Sequence, residues 1–318
     1  MPKDYVQIFD TTLRDGIHGA KVQLPVKDKV ALAQQLALLQ VDILEAGFPG
    51  ARPDDAEVLR QIAATVKGPI ITGLARTTPE DIEAVASALE SAEASRIHLY
   101  IPTEKANANN IEEFEETIGQ SLLQAGKYFD DIEFSPHNAT RIQENILLSL
   151  VQAAVDAGAG TVNISDTLGY AVPDQFSNLI KTIRGRVDGI DGTILSVHCH
   201  NDLGMAVANS LSAVQAGVRQ VECSVNGLGE RAGNAALEEI VMALKTRRDA
   251  FGVDCGIEIS QIQATSDRVS QLSGISIPHN KAIVGKKALD YEKSALRNGF
   301  QKNESYEIIN AKDVGRSP

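Results

Sequence analysis

Only three cysteines occur among the 318 residues, and this scarcity argues against two classes of protein. Cys199, Cys223 and Cys255 are odd in number and form no CxxC pair, so neither a disulfide framework nor a cysteine-rich zinc site is indicated. We therefore expect reduced thiols, with Cys199 and Cys223 acting as packing residues rather than nucleophiles.

Long apolar runs are missing as well. No stretch approaches the roughly eighteen consecutive apolar residues of a membrane-spanning helix. The opening residues, MPKDYVQIFD, have no basic region followed by an apolar run, so no secretory signal is indicated. These two absences predict a cytoplasmic protein.

Positive charge is in deficit, with 30 Lys and Arg against 42 Asp and Glu, a formal net charge of -12 and an isoelectric point near 5.0. Binding to a nucleic-acid backbone needs clustered Lys and Arg, so nucleic acid is not expected as a partner. Small anions are not excluded, because a few local cations or a metal ion can reverse the field inside one pocket. The proportions of hydrophobic (43%) and charged (23%) residues are those of a globular protein.

Eight short segments rich in Val, Ile and Leu alternate with longer segments of helical period, which is typical of repeated βα units. The candidate strands are VQIFDTTLR, DILEAGFP, PIITGLAR, RIHLYIPT, DIEFSPHN, TVNISDTLG, TILSVHCHN and QVECSVNGL. Eight units in about 250 residues predict an α/β fold, a closed (β/α)8 TIM barrel. An open doubly wound sheet is the weaker alternative, because no GxGxxG follows the first strand.

Several helix boundaries can be read from the sequence. Thr78 can cap a helix that has Pro79 at its first position, and Gly158 is a suitable stop for a helix with the apolar stripe Ile146, Leu147, Leu150, Val151 and Ala154. We expect the last helix of the barrel to open at Asn234. The barrel is predicted to span 1–255, and the polar residues 256–318 form a C-terminal segment that packs over the mouth of its own or a partner's barrel.

The stretch SVHCHNDLG places two histidines in phase on the seventh strand. His198 and His200 point to one side and Cys199 to the other, because strand side chains alternate. Two histidines and a carboxylate commonly hold a divalent ion at the carboxyl ends of barrel strands, and Asp15 and Asn234 reach the same rim. A lone strand histidine is usually structural, but this in-phase pair favours a metal site.

Neighbouring residues suggest supporting roles. Asn201 or Asp202 could orient a ligating imidazole. Arg14 beside Asp15 is either a plain surface ion pair or a guanidinium that binds a carboxylate or a developing enolate oxygen. The glycines of NGLGERAGN either expose backbone N–H groups to phosphate or only permit a tight turn.

The motifs FDTTLRDG, LEAGFPG, SDTLGY, HCHNDLG and NGLGERAGN, in this order, resemble the 2-isopropylmalate synthase and homocitrate synthase family of TIM-barrel metal enzymes. The resemblance implies a Claisen-type condensation of acetyl-CoA, or another acyl-CoA, with a 2-oxo acid. It also implies a homodimer and a divalent ion (Mg²⁺, Mn²⁺ or Zn²⁺) on Asp15, His198, His200 and Asn234. Substrate-binding positions implied in the same way are Arg14, His98 and Thr167, and Glu230, which the loop NGLGERAGN brings to the same rim, is a further candidate.

The sequence departs from this family at its acid–base positions. Family members read Gly-Glu-Gln where this chain has Gly16, Ile17 and His18, and Ser-Pro-Glu where it has Ser135-Pro136-His137. The family's tail motif His-Glu-Ser-Gly-Ile-His appears here as residues 291–296, from Tyr291 to Leu296, without a histidine. His18 and His137 are therefore candidates for the general base, although each is equally consistent with pocket lining or a solvent-facing residue.

Three functions remain open. The first is the acyltransferase, on a substrate unlike 2-oxoisovalerate because the pocket is altered. The second is a metal-dependent carbon–carbon lyase similar to hydroxymethylglutaryl-CoA lyase, which the lost tail histidines favour. The third is a non-catalytic metal-binding barrel. Leucine feedback inhibition is not expected, because the family's regulatory domain has no counterpart in the sequence.

Overall fold

Eight parallel strands close into a barrel, and the predicted (β/α)8 fold is thereby confirmed. The computed structural model describes residues 4–289, 291 and 308–316. The strands are β1 (Gln7–Asp10), β2 (Ile43–Glu45), β3 (Ile70–Arg76), β4 (Ser95–Ile101), β5 (Ile132–Pro136), β6 (Thr161–Asp166), β7 (Ile194–Cys199) and β8 (Gln220–Cys223). Each pairs with the next along the chain, and β8 closes on β1 with Gln220 opposite Gln7.

Helices surround the barrel and bury their apolar faces against it. They are α1 (Ile17–Gly19), α2 (Val26–Leu38), α3 (Asp55–Thr65), α4 (Pro79–Leu89), α5 (Ile111–Ala125), α6 (Glu144–Asp156), α7 (Pro173–Arg186), α8 (Ala206–Gln215), α9 (Leu237–Thr246), α10 (Arg248–Phe251) and α11 (Ile262–Ser273). Short turns are the π-helical Thr12–Gly16 and the 3-10 segments Ala139–Arg141, Ile190–Gly192, Val225–Gly227 and Ile259–Gln261. Long helices follow every strand, as the alternation in the sequence predicts.

Two helix boundaries agree with the sequence and one does not. α4 begins at Pro79 after an extended Thr78, and the chain leaves α6 through Gly158 at a φ of 88°. α9 begins at Leu237, so the predicted start at Asn234 is wrong. The N–H groups of Asn234 and Ala235 donate to the carbonyls of Gly227 and Cys199 at 3.0 Å each, and this pairing keeps the segment extended.

The first strand is shorter than the sequence suggests. β1 ends at Asp10, whose carboxylate accepts from the backbone N–H of Thr12 at 3.0 Å and from its hydroxyl at 2.7 Å. This local pairing competes with the strand ladder and turns the chain. Arg14 and Asp15 consequently lie on the π-helical turn after β1, and the candidate strand VQIFDTTLR, which runs to Arg14, is too long.

Buried polar side chains fill the lower part of the barrel. Arg96 Nη1 donates to Glu133 at 3.0 Å and to Gln220 at 2.7 Å, and Gln220 Nε2 donates to Glu133 at 2.7 Å. Such charges are tolerated in the interior only when they are paired and hydrogen-bonded. The network forms a closed floor, so the open site lies above it, at the carboxyl ends of the strands.

The described part of 256–318 lies beside the barrel and adds no ninth βα unit. α11 packs against α2, where Gln35 Nε2 donates to the Thr265 hydroxyl at 3.0 Å. Residues 308–316 return to α11, where the backbone N–H of Gln263 donates to the carbonyl of Val314 at 3.1 Å.

Most of the tail motif cannot be placed in the fold. Of residues 291–296, only Tyr291 is among the described residues, so the prediction about Leu296 lies outside them. Within the described part of the chain, no helix combines the length and apolarity needed to cross a membrane.

Candidate metal centre

A cavity of about 350 Å³ opens at the carboxyl ends of the strands. Nine residues singled out from the sequence line it: Arg14, Asp15, His18, His98, His137, Thr167, His198, His200 and Glu230. The tenth, Asn234, lies behind the lining and donates to Asp15 at 2.7 Å. The barrel thus brings together candidates from six separate strands and the loops that follow them.

His198 and His200 face each other across this cavity. Their Nε2 atoms are 3.1 Å apart, and Asp15 Oδ2 lies 3.6 Å from the Nε2 of His198 and 3.8 Å from that of His200. All three side chains are buried. Cys199, between the histidines, is also buried but is absent from the cavity lining, as the strand alternation predicts.

The protonation states of this trio suit a metal. Burial lowers the pKa of His198 to about 4, and burial together with the neighbouring His198 lowers the pKa of His200 to about 4. Burial works against ionisation of Asp15, but the Arg14 guanidinium holds the pKa of that carboxyl below its usual range. At neutral pH the cluster therefore presents two neutral imidazoles and one carboxylate, the forms that bind metals.

The spacing also fits a divalent ion. Ligand nitrogens and oxygens that lie about 2.0–2.2 Å from one ion stand roughly 3.0–3.6 Å from each other. The ligand atoms of Asp15, His198 and His200 all lie within 4.8 Å of one another. The two Nε2 atoms are 3.1 Å apart, close enough either to share one proton or to bind one cation, so the spacing of these residues fits a metal centre.

Asn234 is held against the cluster by a tight turn. Its Nδ2 donates to Asp15 and, at 3.1 Å, to the carbonyl of Leu228, while its Oδ1 is buried without a hydrogen-bond partner. A Cβ atom added to Gly229 would lie 2.7 Å from this amide nitrogen. Gly229 therefore has a steric role in the NGLGERAGN loop: it lets the backbone pass close to Asn234.

Glu222 on β8 orients a candidate ligand. Its Oε2 accepts a hydrogen bond from Nδ1 of His198 at 2.8 Å, which leaves Nε2 for a metal. Asp202 instead pairs with Arg231 at 2.7 and 2.9 Å, and Asn201 accepts from the first backbone N–H of α8. The expectation that Asn201 or Asp202 orients the imidazole is wrong, because Asp202 faces the Arg231 side chain of the loop and Asn201 faces the backbone of α8.

Arg14 is anchored from below. Its Nε donates to Glu45 Oε2 at 2.7 Å, and its Nη1 lies 3.5 Å from Asp15 Oδ1. Burial opposes ionisation of Glu45, but Arg14 and His98 hold the pKa of this carboxyl well below its usual range. The guanidinium is thereby fixed in orientation beside the cavity that Arg14 lines.

His98 forms a second cation in the cavity wall. Burial alone would lower its pKa, but Glu222, Glu45 and Glu133 together raise it to about 9. Its Nδ1 donates to Glu45 at 3.0 Å, and its Nε2 is 2.7 Å from the Ser135 hydroxyl. The ring is therefore an imidazolium at neutral pH, and it can donate but not accept.

Thr167 and Glu230 lie at the rim. The Thr167 hydroxyl accepts from the backbone N–H of Asn138 at 2.9 Å and donates to the Ser165 hydroxyl at 3.4 Å, a long bond that a ligand oxygen in the cavity could replace. Glu230 is 60% exposed and lies 3.3 Å from Arg231. Both positions are open to a ligand that enters from solvent.

Both candidate bases line the cavity beside a carboxylate. His18 Nε2 lies 3.4 Å from Asp55 Oδ2, and this side chain is 12% exposed. His137 Nδ1 lies 2.9 Å from Glu104 Oε1 and is 39% exposed. The structure brings both histidines to the mouth of the barrel.

The sequence reasoning missed Glu45, Glu222 and Asp55, which support Arg14, His198 and His18 in turn. Each glutamate stands at an inward position of an otherwise apolar strand, in DILEAGFP and QVECSVNGL. A buried carboxylate in such a strand needs a partner, and that requirement is the signal that could have identified both.

Comparison with known proteins agrees with this site. The sequence model of the HMGL-like family matches residues 5–269. A protein named 2-isopropylmalate synthase from Pyrococcus furiosus is 46% identical over 98% of this chain and 64% of its own length. One of the same name from Nitrosospira multiformis is 48% identical over 98% of this chain and 62% of its own length. The chain thus spans less than two thirds of these curated relatives.

A solved structure supports the fold. The hydroxymethylglutaryl-CoA lyase from Pseudomonas aeruginosa superposes with a TM-score of 0.72 at 21% identity, over 93% of this chain and 98% of that one. At this identity the likeness concerns the barrel alone. Because the family model covers more than half of the sequence, the chain belongs to the HMGL-like family.

Proposed function

We propose that this protein is an acyltransferase that condenses acetyl-CoA, or another acyl-CoA, with a 2-oxo acid in a metal-dependent reaction. The observation that carries the proposal is the metal-ready cluster of Asp15, His198 and His200, with the anchored Arg14 beside it in one cavity. The relatives named 2-isopropylmalate synthase support the same reaction class.

The ion, Mg²⁺, Mn²⁺ or Zn²⁺, would be held by Asp15, His198 and His200, with Asn234 as a fourth ligand through its buried, unpartnered Oδ1 after rotation of the amide. When bound, such an ion polarises the carbonyl of the 2-oxo acid as a Lewis acid. Glu222 keeps His198 in the tautomer that leaves Nε2 free for the ion.

The substrate would be oriented by cations and hydroxyls of the cavity wall. Arg14 donates to the oxygen where negative charge grows, and the Thr167 hydroxyl donates to the substrate carboxylate. His98, a buried imidazolium, adds a fixed positive charge behind Ser135. Glu230 at the open rim can accept a hydrogen bond from a polar group of the substrate.

Condensation also requires a base, because the methyl group of the acyl thioester must lose a proton before its carbon attacks the 2-oxo carbonyl. His18 and His137 are the candidates, since each lines the cavity with one ring nitrogen near a carboxylate.

We also propose that residues 1–255 form the catalytic barrel and that 256–318 form a C-terminal segment of a homodimer. The packing of α11 on the outer helix α2, rather than into the barrel, supports this division. The three buried free cysteines are consistent with a reducing, cytoplasmic location.

The test is thiol release from acetyl-CoA with Mg²⁺ or Mn²⁺ and a panel of 2-oxo acids. We expect release that depends on one of the acids, stops with chelator and is lost in Asp15→Asn. Asp191→Asn, at a 90% exposed position just before β7 and away from the mouth, is the matched control and should behave as the wild type. No release with any acid would contradict the proposal, and cleavage of a hydroxy acid without thiol release would indicate a lyase instead.

A further inference from the structure

Each candidate base, His18 and His137, lines the cavity and lies beside a carboxylate, and the two pairs differ in how firmly they are held. In the first, Asp55 at the start of α3 lies beside His18 of α1. In the second, Glu104 lies beside His137, and the two side chains are 51% and 39% exposed. An exposed pair of this kind is hydrated and free to rotate, so it fixes the imidazole weakly.

The Asp55 carboxylate is fixed on three sides. Oδ1 accepts from Lys29 Nζ at 3.0 Å, and Oδ2 accepts from the backbone N–H of Phe48 at 2.9 Å and lies 3.4 Å from His18 Nε2. Burial works against its ionisation, but His18, the Phe48 N–H and Lys29 lower the pKa of Asp55 to about 2. Asp55 is therefore a buried carboxylate whose orientation and charge are both set by the fold.

His18 is placed close to the reacting groups. It follows Arg14 and Asp15 closely on the continuous turn formed by Thr12–Gly16 and α1, and all three side chains line the same cavity. Nε2 is buried 3.4 Å from Asp55 Oδ2 and has no hydrogen-bond partner among the described residues, so a proton on it has this carboxylate as its nearest acceptor. No described side chain pairs with Nδ1, which is therefore available to a ligand in the cavity that His18 lines.

The charged groups around His18 come from every element that packs on its turn. Arg14 and Asp15 lie on the same segment, Lys29 on α2, Glu45 on β2 and Asp55 on α3, and the Glu230 backbone crosses above Gly19. Arg14 and Glu45 neutralise each other at 2.7 Å, and Lys29 offsets Asp55. The nearest carboxylate to the ring is that of Asp55.

We propose that His18 is the acid–base group of this site and that Asp55, kept ionised by Lys29, is its positioning residue. The inference rests on the proposed function and assigns the base within it.

The Nδ1 lone pair of His18 takes a proton from the methyl carbon of the acyl thioester, and the C–H electron pair forms the C=C bond of an enolate with its charge on the thioester oxygen. The enolate carbon then bonds to the 2-oxo carbon, whose C=O π pair moves onto oxygen and takes up a proton, and the enolate oxygen returns to a thioester carbonyl. Water then hydrolyses the C–S bond of this thioester, which releases the CoA thiol and leaves a carboxylate. Asp55 stabilises the imidazolium and fixes the proton on Nε2.

The variants separate this role from a structural one. His18→Gln should lower kcat roughly 10²- to 10⁴-fold, the contribution of a general base. Asp55→Asn should lower kcat roughly 10- to 100-fold, as expected when the group that orients a functional imidazole is lost. In Asp55→Asn the acid-side break in the pH profile of kcat should also move to lower pH, because the His18 imidazolium loses its carboxylate partner.

Two further variants guard against misfolding. Lys29→Met/Asp55→Asn removes both buried charges together, so that no lysine is left unpaired, and should show the same shifted profile. Asp81→Asn is the matched control: Asp81 is a buried aspartate near the start of α4 that accepts from the backbone N–H of Arg76 at 3.1 Å but does not line the cavity. It should keep the kcat and the pH profile of the wild type.

A spectroscopic readout needs no turnover. In protein with ¹⁵N-labelled histidine, the shifts of His18 should report a proton on Nε2 in the wild type and a mixture of tautomers in Asp55→Asn. The proposal is overturned if the tautomer or the pH profile is unchanged in Asp55→Asn, or if His137→Gln carries the loss of kcat and His18→Gln does not. In each of these cases the wild type still releases thiol, so the proposed function stands. A wild type that releases no thiol refutes that function, and this inference with it.

Discussion

Replacement of Glu222 tests whether the barrel interior tunes the metal site. The carboxylate accepts from Nδ1 of His198 at 2.8 Å in a buried position. Removal of such a partner costs about 10- to 100-fold in metal affinity, which equals about 1.4 to 2.7 kcal/mol. Glu222→Gln keeps an acceptor oxygen and removes the charge, so it should give the lower value. Glu222→Leu removes both and should give the upper value.

Isothermal titration with Mn²⁺ or Zn²⁺ measures these affinities directly. Asp42→Asn is the matched control, because Asp42 lies just before β2, at the opposite end of the barrel from the cluster, where its carboxylate accepts from the Tyr5 hydroxyl at 2.5 Å and from the backbone N–H of Ile8 at 2.7 Å. It should lower the free energy of unfolding and leave metal affinity unchanged. Equal affinity in the wild type, Glu222→Gln and Glu222→Leu would refute the reasoning.

Three further predictions concern residues around the cluster. Because the pKa of His98 is raised from 6.5 to about 9, folding favours its cation, so the stabilisation is complete below pH 6.5 and is lost as pH rises through 9. The wild type should lose about 3 kcal/mol of unfolding free energy over this range relative to His98→Gln, as urea titrations at both ends of the range would reveal. Gly229→Ala should weaken metal binding at least as much as Asn234→Ala, because its Cβ displaces the Asn234 amide; equal binding to wild type would contradict the steric role. Arg14→Lys keeps the charge but cannot reach Glu45 and the substrate together, so kcat should fall roughly 100-fold in thiol-release assays, and an unchanged kcat would exclude the fixed guanidinium.

The sequence was sufficient for the barrel because eight apolar segments at regular spacing leave few other folds. The two errors in the predicted element boundaries lie where other hydrogen bonds compete with the regular backbone pairing of a strand or helix. Asp10 captures the N–H of Thr12 and ends β1 early, and the Asn234 segment pairs with β7 before α9 can start. The first exchange is local, an aspartate that pairs with the residue two positions on. The second depends on the contact of Ala235 with Cys199, which are far apart in sequence, so a local pattern does not contain it.

The candidate site, like the fold, could be predicted in part from the sequence. His198 and His200 could be placed on one side of β7 by alternation alone, and closure of the barrel explains why Asp15 meets them. Glu222 and Asp55 could not be assigned in this way, because their partners are 24 and 37 residues away and the pairing depends on strand register and loop packing.

The central claim is that the Asp15, His198 and His200 cluster supports carbon–carbon bond formation, and product analysis tests it most directly. Protein incubated with Mn²⁺, acetyl-CoA labelled with ¹³C in the methyl carbon and the active 2-oxo acid should yield a hydroxy acid whose mass is that of the 2-oxo acid plus labelled acetic acid. Its amount should match the thiol released and fall to background in His200→Gln. Thiol release without this product, or product formation that persists in His200→Gln and in chelator, would contradict the account.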